Sequence, residues 1–505
     1  MVFEPEYMKV VSSVRKNLGI MQSVVELKLP TNEDVIDTIY SVGARSTIVS
    51  SETAGNEVSF TGLVDFQAMY ESAGVSAVDY SAEFKDKFIS NNELSGEIIL
   101  TSNVIDVTSN IVANGIRVVA IVETIIDEIK SKDVSVLTAV QGDRVFSSTT
   151  EMTYSTYVGK AVEKFEVTSD FSIASASKIL MVTPNVCVKD IVAKDNYLTV
   201  SGLLSVSVCY QEGDAEANIK TFDHCIDFSF DSAMDGIRDD SCVYSNIATL
   251  FNEIKVSTML EENGASVDLY VPLMFAGYVF NSQTVEVVDD VYSQDNYLSV
   301  TSENFDTLQC AQAISFSDNI MGTASIVDTA PFIDEILGVS TNNIVLASSN
   351  IVGDKLAIEG IVNSTVLYYT KESNAITSVQ VEMPFMVEEK VNAEQSSIVS
   401  LCLKDVSARS RRGKEIEVSA ELKVYSDLYC SRENSVITNV AIGDEKPQDD
   451  SSLYIYIVKP GETIWDIAKN MNVSPDVILE QNPDVSLPLQ PYEKLVIYKP
   501  QMFDF

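Results

Sequence analysis

One short pattern returns three times along the chain and limits what it can fold into. It reads NEVSFTGLVDFQAMY at 56–70, NYLTVSGLLSVSVCY at 196–210 and DKLAIEGIVNSTVLY at 354–368. In each copy a glycine is followed eight residues later by a tyrosine: Gly62/Tyr70, Gly202/Tyr210 and Gly360/Tyr368. A second pattern follows each copy, in IDVTSNIVANGIRVVAIVETII (105–126), NEIKVSTMLEENGASVDLYVPLMF (252–275) and KDVSARSRRGKEIEVSAELKVY (404–425). These centre on Gly115, Gly264 and Gly413, which are spaced 149 residues apart. A period held through three copies is the mark of a repeat architecture, so roughly the first 440 residues are expected to form three homologous modules.

Within each copy the residues alternate as half-buried strands do. In SVSVCY, Val206, Val208 and Tyr210 fall on one face and Ser205, Ser207 and Cys209 on the other, because a strand's side-chain period is two. Asn114-Gly115 and Asn263-Gly264 stand between two such runs and suit a tight hairpin turn. Sheets with one apolar face need a second layer, so the expected module is an antiparallel β-sandwich. Gly62, Gly202 and Gly360, inside strand-like text, suggest bulges or close packing between sheets, with ordinary strand dilution as the alternative. The acidic, aromatic segments 80–88, 221–230 and 381–389 read as strands returning along each module's edge. PTNEDVIDTIYSVGARSTIVS (30–50) reads as one helical turn entering a β run, with a counterpart at 330–349. The middle module has 62 residues between its two glycines where the others have 53, and 230–246 supplies a loop or small helix.

The expected divisions are a leader at 1–20, modules at 21–140, 141–309 and 310–441, an acidic linker at 442–452 and a different domain at 453–500. The linker rests on Pro447, Asp449, Asp450 and small polar neighbours.

With 74 Asp+Glu against 34 Lys+Arg, the formal charge of -40 opposes nucleic acid and anionic lipid. The first twenty residues show no basic region followed by an apolar segment, so a cytosolic chain without membrane insertion is expected. The seven cysteines show no C-x-x-C spacing and read as free thiols, with no metal site. The only histidine, His224, has no catalytic partners near it in sequence and reads as solvated or packed; no phosphate loop is present. No enzymatic activity and no cofactor are expected. The one basic cluster, Arg409, Arg411, Arg412 and Lys414 around Gly413, is either a solvated turn or a docking hairpin for an acidic surface, including another copy of the chain.

In residues 453–500 a short alternating strand reaches Lys459-Pro460-Gly461. Thr463 caps a helix with Ile464, Trp465, Ile467, Ala468 and Met471; Ser474-Pro475 opens a second helix, Asn482-Pro483 stops it, and KLVIY closes with a strand. This βααβ sequence, YIVKPGETIWDIAKNMNVSPDVILEQNPD…PLQPYEKLVIY, resembles a LysM domain. The resemblance implies recognition loops at Gly461, Glu462, Thr463 and Ile464 and at Asn482, Pro483 and Asp484, binding N-acetylglucosamine glycans such as peptidoglycan or, in some members, proteins. Tyr492 departs from the glycine common in that family's last turn, and its exposed ring would suit a protein contact. Trp465 is assigned mainly to core packing.

The three upstream modules resemble the SPOCS repeats of Firmicute sporulation proteins, through the turn followed by I-x-x-I/L in EDVIDTIYSV and FIDEILGV and through the glycine-to-tyrosine strand. That resemblance implies a mostly β chain of three sandwich-like modules and a terminal βααβ LysM domain. It also implies a non-catalytic scaffold working in the mother cell, at the forespore surface and in the spore coat. The partner implied is the coat's basement-layer ATPase, resembling SpoIVA, with other coat proteins or self-association beside it. The alternative is a peptidoglycan- or chitin-binding protein acting through the LysM.

Overall fold

The computed structural model describes residues 3–499 apart from 32–34, 214–217, 262–263, 311–312, 328–330, 372–374, 393–394 and 448–452, without the side chains of residues 310 and 395–398. Three units share one strand order. The first comprises β1 (Phe3–Pro30), β2 (Thr38–Ala54), β3 (Glu57–Glu71), β4 (Val75–Ile89), β5 (Glu97–Val112) and β6 (Gly115–Gly142). The second comprises β7 (Val145–Ala174), β8 (Ala176–Lys194), β9 (Tyr197–Glu212), β10 (Ile219–Ala233), β11 (Cys242–Thr249), β12 (Lys255–Glu261) and β13 (Gly264–Ser293). The third comprises β14 (Asn296–Cys310), β15 (Ile314–Ser325), β16 (Ile333–Val352), β17 (Lys355–Thr370), β18 (Ile376–Lys390), β19 (Gln395–Arg411) and β20 (Glu415–Glu445). After them come β21 (Leu453–Ile457), α1 (Ile464–Met471), α2 (Pro475–Gln481) and β22 (Lys494–Tyr498).

In the first unit β3 is flanked by β2 and β4, and β6 by β1 and β5, all antiparallel. The alternating apolar residues close the two sheets on each other: Val58, Val64 and Phe66 of β3 share a core with Ile116, Val118 and Val122 of β6. The second unit repeats this with Leu204, Val206 and Val208 against Val267 and Val271, and the third with Leu356, Ile358 and Val362 against Ile416 and Val418. Gly115, Gly264 and Gly413 stand at the same hairpin in each unit, between the last two long strands. Asn263 lies outside the described residues; Asn114 takes the expected left-handed conformation, at φ 56°.

Gly62, Gly202 and Gly360 have one physical reason. Each pairs across its sheet with a phenylalanine of the edge strand, Phe84, Phe228 or Phe385, whose ring lies where a Cβ would sit. On the other side each meets a bulge, after Ile48, Val188 and Leu346. The bulges are present, but the close contact is with a ring of the same sheet and not between sheets, and any side chain at these glycines would displace that ring.

Several expectations change. Residues 3–20, set apart as a leader that could be a short helix or an edge strand, are the first part of edge strand β1, in a ladder with β6 from Phe3↔Gly142 to Pro30↔Gly115, and so belong to the first unit. The stretch expected to be a helical turn is irregular at Ile36 and strand from Thr38: bulges after Ile39 in β2, and after Ile333 and Ile336 in β16, add a residue to the strand's period of two, and the apolar spacing then imitates a helix. The second unit ends at Ser293, because β14 pairs with β20 of the third, so the changeover near 309 moves to 293–296. Residues 442–445 extend β20, while 448–452 lie outside the described residues. The middle unit's extra length is a turn at 234–241 and a 3-10 helix, Phe251–Glu253, that splits into β11 and β12 what is one strand in β5 and β19.

Beyond each sandwich the first and last strands of the unit pair as a ribbon: Phe3–Asn17 with Asp127–Gly142, Val145–Tyr157 with Phe280–Ser293, and Asn296–Cys310 with Tyr429–Glu445. The three ribbons pack into one stem. Val10, Val134 and Val136 of the first share a core with Met152, Tyr154 and Val287 of the second and Phe305 and Val436 of the third. Side chains tie ribbon to ribbon where no ladder joins them: Thr156 Oγ1 donates to Val11 O (2.8 Å), and Tyr157 N donates to Ser13 Oγ (2.9 Å). At the neck, buried Arg15 pairs with buried Asp127 and lies over the Tyr244 ring, 5.6 Å from its centre. Beside them Asp427 is fully enclosed and accepts Ser245 N (3.0 Å).

Cys187 of β8 and Cys402 of β19 form a disulfide between the second and third units, with Cα atoms 5.7 Å apart. This corrects the free-thiol expectation for these two residues; their separation of 215 residues left no local spacing to detect. Cys209 stays a buried thiol, its pKa pushed up to about 12 by desolvation, so it is inert at neutral pH.

Candidate binding site

The terminal domain carries the predicted recognition loops. Thr463 caps α1: its Oγ1 accepts Asp466 N (3.2 Å), and Asp466 returns the bond by accepting Thr463 N (2.8 Å). This reciprocal box fixes the loop that enters α1. Glu462 accepts Lys459 N and the Tyr456 hydroxyl, both at 2.8 Å, and the bond from the Lys459 backbone leads in holding its carboxyl below the usual range. Ile464 is buried in the domain core. Gly461, at φ 82°, is exposed.

Asn482 bridges α2 and β22: its Nδ2 donates to Ile478 O (2.7 Å) and Val496 O (2.8 Å), and its Oδ1 accepts Val496 N (2.8 Å). Its side chain therefore holds the second loop in shape with both amide N–H groups committed. Pro483 and Asp484 are exposed beside it. Tyr492 N donates to Val458 O (2.8 Å), which sets Tyr492 beside the turn carrying Gly461 and Glu462. Its backbone is left-handed at φ 69° and its side chain is 74% exposed. A tyrosine in that conformation costs about 1–2 kcal/mol relative to glycine, and the strain is retained for a ring that touches solvent.

The domain is fastened to the end of the stem through α1 and the turn after it. Trp465 Nε1 donates to Asp290 Oδ2 (2.9 Å), Lys469 Nζ reaches both Asp290 oxygens (2.6 and 2.7 Å), and the Trp465 ring meets Tyr292 edge-on at 5.1 Å. Tyr292 donates to Val473 O (2.6 Å), Asn472 Nδ2 to Gln294 O (2.6 Å) and Lys446 Nζ to Asn472 Oδ1 (2.9 Å). Burial opposes the charge of Asp290, but hydrogen bonds from Lys469 and Trp465 outweigh it and hold the carboxyl below the usual range. Trp465 thus packs in an apolar cluster shared between the terminal domain and the second unit, with Tyr292 and Phe146. None of these partners was visible in sequence, because Asp290 lies 175 residues before Trp465.

The basic cluster has partners inside the chain. Arg409 and Arg411 both pair with Glu417, whose side chain is almost enclosed, and Lys414 lies 4.5 Å over the Phe332 ring. Arg412 occupies the left-handed turn position at φ 52°. His224 contacts Ser169 Oγ (3.1 Å) and packs on Phe171.

The terminal unit is a small βααβ domain whose two loops reach the surface at Gly461 and at Pro483 and Asp484. Residues 456–497 match the LysM domain family, and residues 175–268 match the family described as SipL, SPOCS domain. The chain therefore carries a SPOCS domain and a C-terminal LysM domain. The SPOCS match spans β8 to the start of β13, the sandwich of the second unit, and the flanking units have the same strand order. No curated protein and no solved structure matches the chain. Both families are binding and scaffold families associated with sporulation and glycan recognition. Among the described residues no helix is long and apolar enough to cross a membrane.

Proposed function

We propose that this chain is a non-catalytic scaffold of endospore formation that joins the spore coat to the forespore surface through protein contacts. It works in the mother-cell cytoplasm and then in the coat, with a basement-layer protein of the SpoIVA kind as its partner. The observation that carries this reading is the LysM clamped by Asp290, Tyr292 and Lys446 to the end of the stem away from the sandwiches. Such a body has two separated ends in fixed relation, as a linker between layers needs, and several weak contacts at each end combine into strong retention. The strained, exposed Tyr492 supports a protein surface as the LysM ligand.

Glycan binding by the same loops is the second reading, favoured by the family match and by exposed Gly461, Pro483 and Asp484. The test is binding of the purified full chain to the basement-layer protein and, separately, to purified peptidoglycan. Protein binding that weakens on Tyr492→Ala, in a variant that stays folded, supports the scaffold. Retention on peptidoglycan with no protein binding would replace it with the second reading.

A further inference from the structure

The three sandwiches surround a cavity of about 650 Å³ where they meet. Equivalent strands of each unit contribute most of its wall, β2 and β5 from the first, β8 and β11 from the second, β16 and β19 from the third, with residues of β9, β10 and β13 joining them from the second. The cavity is lined by the outward faces of the small sheets, so its walls are rich in hydroxyl and amide groups such as Thr47, Thr183, Ser205, Ser207, Thr221 and Asn342. Its volume is that of a small-molecule site.

Four groups on this wall lack partners, Ser46 Oγ and three that point to a ligand. Nη1 of Arg45 is buried without an acceptor, and the guanidinium lies 5.8 Å over the Phe251 ring. The carboxylate opposite it in the ladder, Asp65, accepts from Ser81 instead (2.9 Å). Burial holds the Arg45 pKa below its usual value. Two residues on, Thr47 Oγ1 is also unsatisfied in a side chain only 4% exposed. Asn342 of the third unit donates through Nδ2 to Thr365 (2.9 Å), but its Oδ1 accepts nothing. Asn342 lies against β2, since a Cβ on Gly43 would come within 2.9 Å of its carbonyl oxygen. Asp65 faces Arg45 as a charge, but a buried guanidinium N–H without an acceptor and a buried amide oxygen without a donor are both costly, and proteins rarely leave them so.

These needs are complementary. Nη1 of Arg45 requires an acceptor, Asn342 requires a donor, and Thr47 serves as either. We propose that the cavity between the three sandwiches binds a small hydroxylated anion, a sugar acid or sugar phosphate, with Arg45 on its charged group and Asn342 accepting from one of its hydroxyls. Carboxylate and phosphate share the chemistry Arg45 recognises, so both are probed.

The experiment is isothermal titration of the full chain at fixed ionic strength with gluconate, glucose 6-phosphate, glucose and acetate. Gluconate or glucose 6-phosphate is expected to bind, with glucose and acetate at least tenfold weaker. Arg45→Gln is expected to weaken the bound anion on the order of tenfold to a hundredfold. Asn342→Ala is expected to weaken the hydroxylated anions without changing acetate. If neither hydroxylated anion binds the wild-type chain, or if folded Arg45→Gln binds them as well as wild type, the site is disproved; the wild-type titration decides even where a variant does not fold.

Discussion

In each sandwich the apolar face of one sheet is covered by a sheet of the same unit, so Val64 and Val118 meet without help from elsewhere. In the middle of the stem the same strands run on, but the apolar residues of one ribbon are covered by the other two ribbons. A two-stranded ribbon alone is marginal in water, so the stem requires all three copies where a sandwich requires one. The repeat therefore gives the head three separate cores and the stem a single shared one.

The largest effect expected from breaking this contrast is at Leu137, which is fully buried among Val288, Val291, Ile437 and Val440. Leu137→Ala should cost about 2–5 kcal/mol and raise hydrogen exchange in all three ribbons. Val118→Ala should loosen the first sandwich and leave the other two protected; exchange confined to the first unit in both variants would deny the shared core. The disulfide gives the head its one covalent tie between units among the described residues. Replacing Cys187 and Cys402 by serine should cost about 2–4 kcal/mol under oxidising conditions, and denaturant melts should show little difference from wild type in reductant.

Asp427 tests the neck between head and stem. Burial pushes its pKa up to about 7, against the smaller opposing effects of Ser245 N, Tyr425 and Arg15. From the ordinary aspartate value up to about 7 the native state keeps a proton that the unfolded chain has lost, so this group's contribution to stability falls as pH rises through that window and levels off above it. Asp427→Asn should remove that slope and be more stable than wild type at pH 8, on the order of 2 kcal/mol; parallel stability-pH curves for the two chains would contradict it. Asp290 has the opposite sign. Its lowered pKa stabilises docking of the LysM above the ordinary aspartate range, and this is lost as pH falls through the lowered value. Trp465 is the chain's only tryptophan, so its emission should shift red on Asp290→Ala and on acidification, with an effect on the order of 1 kcal/mol for this partly exposed group. Smallest of all, Tyr492→Gly should stabilise the LysM by about 1 kcal/mol while weakening the protein contact proposed for it.

The alternation in SVSVCY was enough to place Val206 and Val208 in a core, and the Gly115, Gly264 and Gly413 interval was enough to find three equivalent hairpins. The LysM was legible from its caps, Thr463 and Ser474-Pro475, because capping is a matter of neighbours in sequence. The bulges were not: an extra residue in β2 or β16 shifts the apolar period towards a helix, and only the ladder shows the shift. The loops were located, yet the use of Asn482 and Glu462 in holding them was not, because their partners are backbone groups that carry no side-chain signature.

By itself the sequence determined which residues face inward, where the hairpins turn and that a βααβ module follows three β units, since these depend on periodicity and turn chemistry over a few tens of residues. Tertiary structure alone decided that Phe3 pairs with Gly142, that Cys187 meets Cys402, that Arg45 and Asn342 share a cavity, and that Asp290 holds Trp465. Alternation tells a strand which face to bury but not which distant face will cover it, and that choice is made only when three copies of one unit close around a common centre.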